Sequence, residues 1–513
     1  MPRRRVRRSR AMDRRRFVGI CAGSLALAAA GCRRAGDPAY ARGNTLVMTL
    51  SDVSWMKYDD GALQFLYLPR LTTENALGDL KGQLAQSWEH SADYLEWTYH
   101  LRTDALWSDG VPVTAHDVKF TLDLLNHPDV RYIVSDAVTV IDDHTVKIRA
   151  GGGPLGWLHC LPKHVLAHLD PKKFWEWDYW LRPTVSGGPY RFLRYVPQTM
   201  MEFEANPTYF QGKPKIEGVV LNFVGQAGLN ELLSGNADVV LNAPSAQIPF
   251  VAKDPRFRVY HHVFSSGGSA IFWKCDHPLF RDARVRRALT LAIDRRALLG
   301  LTNQPSDLPI TDGVFTKRQF LRRQFPEPLP YDPVQARALL DEAGWRDRDG
   351  DGVREREGRP FRFTAIVSGG EQGYDRLPVY IQAQFRELGV QMEVQVLDFV
   401  WDRFTGGDFE AVLHHHQPGP RALRRDFGRN SRISYRNPEV VRLTDQAAAT
   451  ADPDELDRIY GALTEILRAD LPMTRLLIRA VPTFVHRRVQ GLRTPFHSSP
   501  DTYIEDLRLD DGR

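Results

Sequence analysis

The sequence predicts an α/β fold, and two observations lead there. Strand-like and helix-like segments alternate from the first β-rich run to the last long helix. The 513 residues are 42% apolar and 10% aromatic, enough to fill large cores. Residues 45–50 (Thr-Leu-Val-Met-Thr-Leu) read as an opening strand, and 95–101 alternate with the two-residue period of a half-buried strand. An Asp-Gly turn within Trp107-Ser108-Asp109-Gly110 closes that strand. Thr114 stands at a helix N-cap, with Asp117 in the capping-box position usually held by Glu, and Val118, Phe120, Leu122 and Leu125 follow. One long helix is expected over 283–300, because Val285, Ala288, Leu289, Ala292, Ile293 and Leu299 form a single apolar stripe ending at Gly300. Further helices are expected over 333–343 before Gly344, over 379–388 before Gly389, and over 454–469. Between the last two, residues 390–397 alternate as a strand through Val390, Met392, Val394 and Val396. No internal repeat or low-complexity linker divides the chain, so domain borders must fall in short crossings.

Charge narrows the function. The formal net charge is +5, but nine of the 68 Lys and Arg and a single acid, Asp13, fall in residues 1–32. The remainder therefore carries about −3, whereas a groove that neutralises phosphates needs local positive excess, and no nucleic-acid partner is expected. A mean hydropathy of −0.38 and the lack of an apolar run beyond residue 30 exclude a polytopic membrane protein.

The N-terminus reads as an address. Asp13-Arg14-Arg15-Arg16-Phe17 precedes an apolar stretch over 20–30, too short to cross a bilayer as a helix, so residues 1–32 form a secretory signal. Its paired arginines resemble the twin-arginine export type, and Met12 offers an alternative start to Met1. Ala29-Ala30-Gly31-Cys32 resembles a lipobox, in which Cys32 is acylated and anchors the mature protein at the periplasmic or outer face of the cell membrane. Ala39-Tyr40-Ala41 offers a competing cut that releases a soluble protein. In the body only Cys160 and Cys275 remain; two buried thiols are expected, with one bridge as the alternative.

Several short strings, taken together, are specific. Leu84-Ala85-Gln86-Ser87-Trp88-Glu89, Tyr99-His100-Leu101-Arg102, Trp107-Ser108-Asp109-Gly110 and Thr114-Ala115-His116-Asp117-Val118 are followed in order by Gly188-Pro189-Tyr190, Val285-Arg286-Arg287-Ala288-Leu289, Ala343-Gly344-Trp345 and Asn437-Pro438-Glu439. This series resembles the family-5 extracellular solute-binding proteins, the receptors of peptide and nickel ABC importers, over nearly the whole mature chain. The resemblance implies a two-lobed periplasmic-binding-protein fold (type II, with an extra subdomain) that closes around its ligand about a hinge. Mapped here, lobe one comprises 42–275, with an inserted subdomain near 67–180, and is completed by 482–513; lobe two comprises 276–481. The implied function is capture of a small, peptide-like organic solute for an ABC permease, as a monomer, without a cofactor and without catalysis; the alternative within the same fold is a sensor that feeds no importer.

The resemblance also points to ligand residues. Relatives that take peptides seat the free amine on an acid that follows a tryptophan, just after a strand resembling residues 409–413. Here that segment reads His414-His415-His416-Gln417-Pro418-Gly419-Pro420, and no carboxylate occurs over 411–425. A buried ammonium without a counter-charge costs several kcal/mol, which argues against a free peptide N-terminus as ligand. On a strand His414 and His416 share one face, so an alternative ligand is nickel or another metal chelate held by these two. The bland reading is that they give hydrogen bonds and aromatic faces to an organic ligand or to a strand end. Trp401 matches a pocket-lining tryptophan or is a core aromatic. Trp55, and Ser266 and Gly268 within a Ser-Ser-Gly-Gly-Ser stretch, stand where relatives meet their ligand. Arg376 could pair with a ligand carboxylate or lie in solvent. Asp347-Arg348-Asp349-Gly350-Asp351-Gly352 imitates a calcium loop, but Gly358 takes the place of the bidentate glutamate, so a turn is expected. A zinc hydrolase on the histidines lacks a nearby general base, and no G-x-S-x-G nucleophile motif is present.

Overall fold

The computed structural model describes residues 42–50, 63–75, 79–130, 135, 137–149, 155, 158–322, 324–369, 376–398, 400–416, 419–492 and 504–510. The signal segment with Cys32, and Trp55, lie outside the described residues. Strand β1 (Thr45–Leu50) is followed by β2 (Ala85–His90), β3 (Glu96–Leu101), helix α1 (Ala115–Leu125), β4 (Ala137–Asp142) and β5 (Thr145–Arg149). Strands β2 to β5 form their own antiparallel sheet, in the order β2-β3-β5-β4. The chain then gives β6 (Tyr190–Val196), β7 (Met200–Ala205), β8 (Gly218–Phe223), α2 (Gly228–Leu233), β9 (Val239–Val240) and the long β10 (Phe257–Trp273). A second series contains α3 (Ala283–Leu291), α4 (Arg295–Leu301), α5 (Pro333–Glu342), β11 (Arg362–Ser368), α6 (Arg376–Glu387), β12 (Gln391–Leu397) and α7 (Trp401–Gly406). It continues with β13 (Ala411–His416), α8 (Pro420–Phe427), α9 (Pro438–Ala449), α10 (Pro453–Asp470) and the long return strand β14 (Met473–His486). One ten-stranded mixed sheet runs through the molecule in the order β12-β11-β13-β10-β14-β9-β1-β8-β7-β6.

Each half of this sheet has its own core. Leu46, Met48 and Leu50 of β1 pack with Trp107, Tyr190 and Phe203, and the small sheet joins the same cluster through Trp97, Tyr99 and Ile148. In the second half, alternation along β10 sends Ile271 and Trp273 to one face, with Phe280, Leu289 and Phe363, and Ala270 and Phe272 to the other, with Phe404, Val412 and Phe427. Strands covered on both faces read as continuous apolar runs, as β1 does.

Local signals act largely as expected. Thr114 caps α1, with Asp117 completing the capping box through the Thr114 N–H at 2.9 Å. Helix α5 ends before Gly344, and α6 before Gly389; both glycines have positive φ, of 82° and 75°. The expected helix over 283–300 is corrected: the chain breaks after Leu291, and Asp294 starts α4 by accepting the Ala297 N–H at 3.0 Å. The apolar stripe misled because Leu289, Ile293 and Leu299 enter one core across the break. Cys160 and Cys275 are buried free thiols, and burial pushes the Cys275 thiol up to about 12.

Candidate functional site

The strand directions define where a ligand can be held. In the first half β1 runs parallel to β8 and β9, and β9 is antiparallel to β14 with Val239 opposite Val485 and Val240 opposite Phe484. The carboxyl ends of these parallel strands therefore point back along β14 toward its middle. In the second half β11 runs parallel to β12 and β13, and β13 is antiparallel to β10 with Ala411 opposite Trp273 and His416 opposite Gly268. Gly268 in turn lies opposite Ile478, so these carboxyl ends point at the same stretch of β14 from the other side. Ligands of open α/β sheets collect at strand carboxyl ends, and here two sets face one another across residues 478–484.

The crossing is irregular. Val263 lies opposite Ala480 and Gly268 opposite Ile478, so residues 264–267 of β10 bulge against the single residue Arg479 of β14. The expected Ser-Ser-Gly-Gly-Ser stretch is part of this strand, and the side chain of Ser266 lies outside the described residues. Gly268 is required by the crossing itself: a methyl group there would collide with the Leu477 carbonyl oxygen. On the first-half side a cavity of about 260 Å³ opens at the carboxyl ends of β1 and β9, lined among others by Thr49, Leu50, Gly228, Asn242, Pro244 and Gln247. Asn242 has a φ of 50°, and its Oδ1 and the Gln247 Oε1 are buried without a hydrogen-bond partner.

On the second-half side stand the histidines of β13. His414 is half-buried, its ring 5.8 Å from that of Trp401 and 5.7 Å from that of Phe404. His416 is buried, with its Nδ1 accepting Nη2 of Arg475 at 2.9 Å and its Nε2 3.5 Å from Oδ2 of Asp426. A guanidinium can only donate, so Nδ1 carries the lone pair and Nε2 the proton, directed at the carboxylate. Asp426 is fully buried and also meets Nε of Arg425 at 3.1 Å and Nη2 of Arg432 at 2.5 Å. Burial alone would raise this carboxyl; His416, Arg432 and Arg425 together hold it below its ordinary value. Burial pulls all three imidazoles down to about 4, aided by Arg432 at His414 and by Arg475 at His416, where Asp426 opposes. They are neutral at pH 7. Burial also lowers Arg432 and Arg475 to about 10, which leaves both charged.

The predicted residues fall unevenly on this frame. His414 and His416 share a face, as expected, and His415 takes the other. The Nδ1 lone pair of His416 is taken by Arg475, and Nε2, which carries the proton, faces Asp426 at 3.5 Å without a hydrogen bond, so His416 offers no free lone pair beside His414. Trp401 begins α7, packed on Phe404 and His414, with the guanidinium carbons of Arg425 and Arg432 at 5.2 and 4.9 Å from its ring. Arg376 is the exposed first residue of α6. Among the described residues the one cluster of potential metal ligands is Asp347, Asp349 and Glu355, where Asp347 is occupied by the N–H groups of Gly350 and Gly352 at 2.8 and 3.0 Å, a turn. Sequence reasoning missed Asp426, Arg432 and Arg475. Asp426 lies one residue beyond the carboxylate-free run 411–425, and Arg475 was findable because it and Arg479 are the charges of the largely apolar run 471–485.

A family model described as bacterial extracellular solute-binding proteins, family 5 Middle, matches residues 79–422. The chain is 23% identical to the oligopeptide-binding protein AppA of Bacillus subtilis (strain 168), over 95% of each chain. Its fold matches the solved structure of that AppA in complex with a nonapeptide (TM-score 0.66, 21% identity, 91% of this chain and 99% of the other). It also matches NikZ of Campylobacter jejuni in complex with Ni(L-His) (TM-score 0.69, 21% identity, 91% and 99%).

Proposed function

Since the chain belongs to the bacterial extracellular solute-binding proteins of family 5, we propose that it is the substrate-binding component of an ABC importer. It takes up a small, peptide-like organic solute between its lobes and delivers it unchanged to the membrane permease. The observation that carries this reading is the opposition of two sets of strand carboxyl ends across a crossing of two strands, which gives a cleft able to shut by bending at the crossing. The reading asks no bond making of the buried, neutral histidines near this wall.

Trp401 and His414 line the second-lobe wall of the cleft, and Gly268 brings the crossing backbone within reach of the solute. Trp55, Ser266 and Arg376 join them on the strength of the family resemblance, whereas His416 acts through Arg475 and Asp426. The first lobe comprises the strands before the crossing and the C-terminal return after it. We set its border nearer 263–268 than 275, because Gly268–Trp273 already pair with β13. Export uses the twin-arginine signal, and acylated Cys32 holds the mature monomer at the outer face of the membrane. A second reading, capture of a metal chelate, draws support from the nickel-bound relative, but it requires His416 to give up Arg475 or His414 to act alone.

Mass spectrometry of the protein purified without denaturation should detect a bound small organic compound. X-ray scattering should show a smaller radius of gyration once that compound is returned to the stripped protein. Unchanged scattering, or chemical turnover of the compound, removes the receptor reading.

A further inference from the structure

The charges around the carboxyl end of β13 do not balance. Four guanidinium groups, of Arg295, Arg425, Arg432 and Arg475, share two carboxylates, of Asp312 and Asp426. Arg479, half-buried at the bulge of the crossing, makes no ion pair with any described residue. Arg475 is 1% exposed, and its Nη1 has no hydrogen-bond partner; Nε and Nη1 of Arg432 likewise make no hydrogen bond, its guanidinium carbon lying 3.6 Å from the Phe404 ring centre, and among the described residues Oδ2 of Asp426 is the one carboxylate oxygen there left without a donor. Buried donors of a charged group left unpaired are strongly unfavourable, so a fold keeps them where something else completes them. The three histidines, being neutral, add no counter-charge, and the Nδ1 lone pair of His416 is already taken by Arg475.

Position says what completes them. The Arg475 backbone lies opposite Ala270, yet its guanidinium reaches His416, whose backbone lies opposite Gly268. The side chain thus leans toward the crossing, where the carboxyl ends meet. His416 holds it by Nη2 and the Gly313 carbonyl by Nε, leaving Nη1 for a further acceptor. We infer that this end of the cleft receives an anionic group of the solute, a carboxylate or a phosphate, on Arg475, with Arg432 and Arg479 supplying the attracting field. The inference rests on the solute-receptor reading and names its substrate class: an oxyanion where a cation would meet net positive charge.

The test uses the stripped full chain and three probes at matched ionic strength: N-acetyl-trialanine, which has a carboxylate and no amine; trialanine amide, which has an amine and no carboxylate; and phenyl phosphate. Calorimetric titration should show binding of at least one of the two anions and none of the amide, and comparison of the anions separates carboxylate from phosphate. Arg475→Met should weaken the bound anion by about tenfold or more. It should also raise the melting temperature of the unliganded protein, since a methionine fills the site without a buried charge. A purely structural arginine would show the opposite, a lower melting temperature with anion affinity unchanged, and that outcome overturns the inference. Should Arg475→Met fail to fold, Arg432→Met must show the same loss of anion affinity. Binding of the amide but of neither anion, with closure seen by scattering, overturns the anionic class and leaves the receptor reading standing. Absence of binding and of closure with every probe counts against both.

Discussion

A buried imidazole that is neutral in the folded chain and freely titrating in the unfolded one makes stability depend on pH in a definite direction. His416 is held at about 4 in the fold. Between its ordinary value near 6.5 and about 4 the unfolded chain binds the extra proton, so stability falls as pH drops through that window and levels off below it. For one such group the loss is about 3 kcal/mol. Glu505, raised to about 7 by burial, works the other way: its contribution is complete below the usual carboxylate range and fades as pH rises toward 7. Urea midpoints measured from pH 7 to 4 should therefore fall for the wild type and fall less steeply for His416→Gln, whose amide oxygen still accepts from Arg475. Equal slopes would contradict the buried-imidazole account. At Gly268 the expectation concerns bulk: Gly268→Ala forces the crossing apart and should cost about 2 kcal/mol, seen as a lower melting temperature. The histidine run and the missing carboxylate were legible in the sequence. The tie between His416, Asp426 and Arg475 was not, because Asp426 and Arg475 reach β13 from a helix and a strand that only the tertiary fold brings there.

Elements whose bonds are local were readable, and those whose partners lie far along the chain were not. β1, α1, α5 and β12 carry their own period and punctuation, and the capping box at Thr114 placed the start of α1 to the residue. β10 carries neither: His261, His262 and the Ser-Gly stretch disguise a strand whose backbone bonds go to β13 and β14, more than a hundred residues away. The split of α3 from α4 was hidden for the reverse reason. Apolar spacing continued across it, and the decisive residue, Asp294, is a cap inside the pattern. Asp294→Ala should lower stability by about 1 kcal/mol by freeing the first-turn N–H groups of α4, and thermal unfolding would register it as a shift of a degree or more. No shift would mean that core packing alone fixes the break.

Two half-sheets with separate cores, joined through β10 and β14, give the molecule a seam, and the first half is fastened independently of that seam. Asp238, fully buried, takes Nε and Nη2 of Arg488 at 2.6 and 2.9 Å and the Val47 N–H at 2.9 Å, while Arg488 also donates to the Thr45 carbonyl at 2.6 Å. The C-terminal return is thereby locked to the opening strand, which is why residues beyond β14 complete the first half. Asp238→Ala leaves Arg488 as an uncompensated buried charge and should cost roughly 3–5 kcal/mol. The damage should stay on one side of the seam: hydrogen exchange ought to accelerate in peptides covering β1, β8 and β9 and remain unchanged over β11 to β13. A solute held by both walls would couple them, so adding it should restore part of the lost protection in β1, a site it need not touch. Acceleration spread evenly through all strands would show that the ten-stranded sheet opens as one unit, and a hinge at the crossing would then have no mechanical basis.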